Sequence, residues 1–431
     1  MEVRPPGNSN VRFNFICGLL HGVFYRAGMA FSEPTSVLPV FLSHFTGSLT
    51  MIGVFSALIQ GGGMLPLLFV ANRLERVRRK KPALLVAIWV RAAAWGILGI
   101  LVFFWRDGDT TLVLIALLTL LFIFSFAGGV ASIPFNDLWA KALPATMRGR
   151  FFGHRQLWGG VMALGAAYIV KRVLGDPELA FPNNYGLLFL LSFAFLVISY
   201  IALSSVREPE GDIIETPRKL STFLGQSVRM IREDRNFGLF LLSRMTIGFS
   251  AFALPFYVLY GQQELQMPAE KIGLLIGAQV AGSILSNIVW AELSDRVGNR
   301  SVIMLTGLVA VLIPVLTLIS THVGGSALLV AVFALIGAQI SGAGIGFKNY
   351  LLEIAPVPLR PAYIAVAGTL AGLLFLLPIA GGFVVDMWGY QAAFAATAVV
   401  VAVGLAFSWT LKCVRTPAKA DETGGDHAGS S

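Results

Sequence analysis

Charge is scarce in this chain of 431 residues. Only 13% are Asp, Glu, Lys or Arg and 56% are hydrophobic, against roughly a quarter charged in soluble domains. That composition excludes a water-soluble fold. Cysteine is nearly missing: Cys17 and Cys413 are too few and too far apart for a disulfide framework or a Cys-ligated metal centre. No Gly-x4-Gly-Lys-Ser/Thr run occurs, which excludes ATP hydrolysis by the usual phosphate-binding loop. There is no His-Glu-x2-His, and none of the five His has Asp at the fifth following position, which argues against zinc-protease and acyltransferase chemistry. Gly342, Gly344 and Gly346 lie in an apolar stretch with no strand before them, so they read as helix packing, not a dinucleotide loop. We therefore expect no enzyme, no metal and no cofactor. The first ten residues lack the basic and short apolar regions of a signal peptide, so none is read.

What the chain has in quantity is long apolar runs. Twelve are long enough to cross a ~30 Å hydrocarbon core, at about 13–43, 50–71, 82–105, 112–136, 156–175, 184–205, 237–261, 272–291, 301–320, 326–347, 362–385 and 389–411. Lipid offers the backbone no hydrogen-bond partner, so such runs must be helices, and the lack of apolar/polar alternation excludes a barrel. The expected fold is an all-α membrane protein with twelve transmembrane helices in two pseudo-symmetric six-helix bundles. Its parts are an N-tail (1–12), a first bundle (13–205), a linker (206–236), a second bundle (237–411) and a C-tail (412–431) that reads as disordered. In the linker, Leu220, Phe223, Leu224, Val228 and Ile231 recur at helical spacing beside Arg218, Lys219, Arg229, Arg232 and Arg235. That pattern predicts an amphipathic helix on the membrane surface; a solvated charged linker is the alternative.

Of the 32 Lys and Arg, 25 fall in the tails and the loops on the same side as the tails, while the opposite loops hold Arg106, Lys171, Arg172 and Lys271. Basic residues stay on the cytoplasmic side, so both termini are expected in the cytoplasm of a cell whose inner membrane holds a multi-pass protein. The net charge of +9 is thus mostly topology and calls for no nucleic-acid partner.

The chain also repeats itself. Ala71 to Lys80 aligns without gaps on Ala291 to Arg300, placing Glu75 on Asp295, Arg76 on Arg296 and Val77 on Val297. Phe135, Pro144, Arg148 and Phe151 align on Phe347, Pro356, Arg360 and Tyr363. Two matches in the same order indicate duplicated six-helix halves, related by an axis along the membrane normal.

Leu293-Ser-Asp-Arg-Val-Gly-Asn-Arg300 resembles the signature of the major facilitator superfamily in the loop after helix 2, here best kept in the second-half copy. The run Pro378, Gly381, Gly382, Asp386, Gly389, Tyr390, Phe394 resembles that family's helix 11–12 region, and Glu353 with Arg360 has a spacing seen in some sugar-transporting members. The resemblance implies a monomeric secondary transporter, a symporter or antiporter working by alternating access, with helices 1, 4, 7 and 10 around a central cavity. It implies a cytoplasmic gate of loop charges, for which the candidates are Glu75, Arg76, Asp137, Arg148, Asp295, Arg296, Glu353 and Arg360. The alternative is that these charges only set topology.

Four charged residues remain inside the spans: Arg26, Glu33, Arg91 and Arg244. Each costs about 3 kcal/mol on insertion scales and should face protein or water. Arg26 and Glu33 are seven apart, on one face of helix 1, and Pro34 frees the carbonyl of Ala30, so an interrupted helix beside a cavity is expected. Counted back from Pro39 and Pro255, Arg26 and Arg244 occupy near-equivalent places in the two halves, while Arg91 is more peripheral. The expected solute and proton pathway is Arg26, Glu33, Arg244, Gln60, Tyr257 and Asn349, with Tyr260, Gln339 and Tyr350 as weaker members. Arginines would favour an anionic small molecule, and a shielded Glu33 could carry a proton. Against this stands a purely structural Arg26–Glu33 pair. Multidrug or metabolite export, or a transporter-fold sensor or carrier without net translocation, are the alternative functions.

Overall fold

The computed structural model describes residues 8–64, 66, 77, 79–105, 110–209 and 233–413. Glu75, Arg76, the amphipathic stretch Arg218–Arg232, and residues 1–7 and 414–431 of the tails lie outside them. Among the described residues there is no strand, as the apolar runs require.

The first pass is α1 (Asn8–Phe31) followed by α2 (Val37–Ser43). The second begins as α3 (Leu49–Gly61), and α4 (Lys81–Phe104), α5 (Thr110–Ala142), α6 (Ala145–Leu174) and α7 (Asn183–Ser205) complete the first half. The second half opens with α8 (Arg235–Gly248), a 3-10 turn (Phe249–Phe252) and α9 (Phe256–Gln263). Then come α10 (Lys271–Arg296), α11 (Asn299–Ile319), α12 (Gly325–Ile354), α13 (Arg360–Leu373) and α14 (Leu377–Trp409). Among the described residues nine apolar helices, joined segments counted as one, are long enough to cross a membrane. The split first pass and the partly described second add two. The last adds one, because Gly389 at φ 81° breaks α14 into the end of pass eleven and the whole of pass twelve. That makes twelve.

Within the first half α1 packs on α6 and α7, and α4 on α5 and α7; within the second α12 packs on α10 and α11, and α14 on α8 and α11. The halves meet where α2 touches α9 and chiefly through two pairs, α3 with α14 and α6 with α10. Both contacts are tight at the end of the molecule away from the termini. A Cβ on Gly53 would strike the Pro378 carbonyl, one on Gly382 the Leu49 carbonyl, and one on Gly273 the Ala167 carbonyl and the Lys171 amide. Backbone therefore touches backbone there, which only glycine permits.

Asp386 ties the same end. Its carboxylate accepts hydrogen bonds from the Leu49 and Thr50 amides (both 2.8 Å), from Thr50 Oγ1 (2.6 Å) and from Ser48 Oγ (3.1 Å). Those groups form the first turn of α3, where amides lack intrahelical partners and a negative charge is favoured. Asp386 lies in the exposed turn between passes eleven and twelve. Partial burial pushes its carboxyl up, but the bonds from Thr50, Leu49 and Ser48 outweigh that and hold it below the usual aspartate value.

Candidate solute cavity

Proline sets the centre of each half. Pro34 has no amide to give and its ring clashes with the preceding turn, so α1 ends at Phe31. The carbonyl of Glu33 then accepts the amides of Ser36, Val37 and Leu38 at 3.0–3.3 Å and restarts the chain as α2. In the second half α8 ends at Gly248, and the chain becomes helical again after Pro255. The two breaks coincide in the repeat, with Pro34 matching Pro255. Pro39 instead sits in the first turn of α2, where a missing amide costs nothing. The break also moves Glu33 off the helical face it was expected to share with Arg26: α1 has ended before Glu33 is reached.

A cavity of about 470 Å³ lies between the halves at these breaks. Glu33, Gln60, Arg244, Tyr257, Gln279 and Gln339 supply its polar groups, and Ile247, Ile313, Ile336, Phe347 and Phe375 much of its apolar wall. A second chamber of about 260 Å³, lined by Tyr25 and Arg26, adjoins it and shares Glu33, Gln279 and Ile340. Glu33 therefore stands between the arginine of one half and the arginine of the other.

Among the described residues neither arginine forms an ion pair. Among the described residues Arg244 has no ion pair, and its one recorded contact is with the Phe347 ring, 5.8 Å from the centroid. Arg26 reaches the Gln156 carbonyl at 3.5 Å, the limit of a hydrogen bond, and forms no ion pair with Glu33. Thr35 Oγ1 lies 3.2 Å from both Glu33 Oε1 and Gln279 Oε1. One hydroxyl proton serves one acceptor, so the Gln279 amide turned over, with its NH2 donating to Thr35, completes a chain Gln279 to Thr35 to Glu33 across the two halves. Tyr257 stacks on Phe394 at 4.8 Å, and its hydroxyl is buried without a partner. Gln339 donates to Ser250 Oγ at 3.3 Å.

Other predicted residues are placed elsewhere. Asn349 lines neither chamber. Tyr350 bonds Asn236 and the Lys412 carbonyl, and Tyr260 packs edge-on against Tyr390 and Phe394. Among the gate candidates, Asp137 pairs with Lys80 (3.0 Å) and Lys141 (2.5 Å). Arg148 donates to the carbonyls of Leu143 and Ala140. Glu353 accepts from Asn299 at 2.6 Å, Arg296 pairs with Glu292 one turn back, and Asp295 is exposed. Arg360 Nε is buried without a partner. These bonds stay within one half, at the end that carries the termini. Sequence reasoning missed Thr35, Ser250 and Gln279, which carry no charge to mark them, and Arg155, which it placed in a loop. Among the described residues no three of His, Cys, Asp and Glu converge as metal ligands.

Residues 237–429 match the model of the Major Facilitator Superfamily. No curated protein matches the chain by sequence. Among solved structures, a point mutant of the nucleoside transporter NupG is similar with a TM-score of 0.72 at 15% identity, over 93% of this chain and 100% of that one. A bacterial homologue of the iron transporter ferroportin in an inward-facing state scores 0.69 at 16% identity, covering 92% and 98%. A bacterial ferroportin homologue in an outward-facing state scores 0.62 at 16%, covering 92% and 99%. By sequence the second half, residues 237–429, matches the Major Facilitator Superfamily, and the whole chain shares the multi-pass helical fold of these solved transporters.

Proposed function

We propose that the chain carries a small organic anion across a cell's inner membrane by alternating access, coupled to a proton on Glu33, with both termini in the cytoplasm. The observation that carries this reading is the unpaired Arg244 in a largely apolar cavity, with Glu33 in the wall shared by both chambers. A protonated guanidinium without a counter-charge is a preformed fork for a carboxylate or phosphate, and the apolar wall suits an organic body attached to it. Glu33 sits among the groups that would have to release or accept such an anion. Protonating it removes a negative charge from the cavity just where a second negative charge enters. The 25-to-4 bias of basic residues supports the orientation. A sensor or carrier without translocation would need no charged groups in the cavity wall.

Proteoliposomes with an imposed pH gradient test the proposal, using a panel of radiolabelled organic acids and comparing wild type with Glu33→Gln. Gradient-driven accumulation is expected in wild type and lost in the variant, while exchange of internal for external anion persists. Unchanged accumulation in Glu33→Gln overturns the proton role, and uptake that prefers neutral or cationic compounds overturns the anion.

A further inference from the structure

The first half contains a third cavity, of about 220 Å³, walled by α1, α4, α5, α6 and α7, which shares no lining residue with the main solute cavity and meets the second chamber at Tyr25. His21, Tyr25, Arg91, Arg155 and Tyr200 line it, and among the described residues no carboxylate does. Arg91 donates to the Tyr25 hydroxyl at 2.9 Å and lies over the Phe124 ring at 4.1 Å; Arg155 lies over Phe135 at 5.0 Å. His21 Nδ1 is taken by Ser199 Oγ at 2.6 Å. Two donors are left over: Arg91 Nε and the hydroxyl of Tyr200, a residue 1% exposed, are buried without hydrogen-bond partners. The Tyr200 hydroxyl lies near the Arg91 guanidinium without meeting it in hydrogen-bond geometry.

The room for these side chains is built in. A Cβ on Gly128 would overlap the Arg91 guanidinium, and one on Gly22 the side chain of Arg155. Two helices therefore give up their side chains at the points where the arginines lie across them. Buried guanidinium groups remain protonated, and each is costly to remove from water unless an opposite charge meets it. Stacking on an aromatic ring returns part of that cost and leaves the two positive charges facing one small space.

We propose that this cavity holds a small oxyanion, a carboxylate or phosphate no larger than acetate or inorganic phosphate, gripped by Arg91 and Arg155 and by the Tyr200 hydroxyl. Planar guanidinium forks match an oxyanion's paired oxygens, and the free hydroxyl supplies a further donor. The volume falls below that of pockets for drug-sized ligands, roughly 300 Å³ and above. The site does not depend on the solute reading, because Arg244 and Glu33 line other chambers.

Thermal unfolding of the purified full chain tests it, titrated with sodium acetate and with sodium phosphate at ionic strength held by chloride. The titrations are run on an Arg244→Gln background so that the solute cavity's arginine contributes nothing. A saturable rise in unfolding temperature with either oxyanion is expected, acetate identifying a carboxylate site and phosphate a phosphate site. Arg155→Gln and Tyr200→Phe, each added to that background, should raise the half-saturating concentration about tenfold, since a charge-assisted hydrogen bond is worth ~1.5 kcal/mol or more. A rise that never saturates overturns the proposal. So does a half-saturation unchanged by both added substitutions. If Arg155→Gln does not fold, Tyr200→Phe, which keeps every charge, decides alone.

Discussion

The two halves share a backbone plan and treat buried charge in opposite ways. The first half carries Arg26, Arg91 and Arg155, lying across Gly159, Gly128 and Gly22 in turn, together with Glu33 at its helix break. The second half offers Arg244 to the cavity and surrounds it with amides and hydroxyls: Gln279, Gln339, Ser250 and Tyr257. Duplication kept the break, at Pro34 and at Pro255, because proline fixes where a helix must stop whatever surrounds it. It did not keep the charges: each of these three arginines of the first half lies against a glycine of a neighbouring helix, whereas Arg244 opens into the cavity. The solute cavity is therefore asymmetric: the acid comes from one half and the unpaired fork from the other.

That asymmetry can be broken most directly at Arg244. Arg244→Gln should weaken binding of the anionic solute by roughly 10- to 100-fold, the worth of a lost charge-assisted contact, as read by isothermal titration of purified protein. Arg26→Gln should cost several-fold less, since Arg26 lines the adjoining chamber. Equal losses would make the halves equivalent. At the closed end, Gly382→Val forces a side chain into the Leu49 carbonyl, and overpacking of this kind costs ~1–3 kcal/mol. Labelling of a cysteine placed at Thr50 should then become several-fold faster, whereas Gly368→Val, at an exposed position with open space, leaves it unchanged.

Smaller effects sharpen the comparison from the polar side. Tyr257→Phe should leave the unfolding temperature of the empty protein within a degree or two of wild type, because the hydroxyl has no partner to lose. It should weaken solute binding by about 2- to 10-fold, the range for one neutral hydrogen bond. The smallest effect is expected of Asp386. Its carboxyl is held below the free value, so its contribution is complete above the pH where unfolded aspartate titrates and is lost as pH falls through the folded value. Stability curves of wild type and Asp386→Asn should therefore converge in acid and separate toward neutral pH.

Much of this architecture is legible in the residues. Apolar length and the loop bias of Lys and Arg mark the passes, and the offset of Glu75 from Asp295 marks the duplication. Arg26, Glu33 and Arg244 stand out because charge is rare where they lie. Arg155 is hidden by the same logic. An apolar run counts the bilayer, but α6 begins at Ala145, well before its apolar stretch, so a residue that looks like loop is ten positions into a helix. Gln279, on α10, and Thr35, in the break between α1 and α2, are hidden because an uncharged polar residue carries no sign of which neighbour it will face. Asp137 and Arg148 stand together among the gate candidates, yet Asp137 meets Lys80 and Lys141, a choice made when α4 and α5 pack.

The bond from Asp386 to the first turn of α3 also says something about how the molecule is made. The acceptor stands 336 to 338 residues after its donors, and a chain synthesised from its N-terminus inserts its whole first half before that carboxylate exists. Until then α3 starts with only the Ser48 hydroxyl on the Met51 amide to hold it. The early part of the protein thus waits, with the end of one helix unfinished, for the late part to arrive and close it.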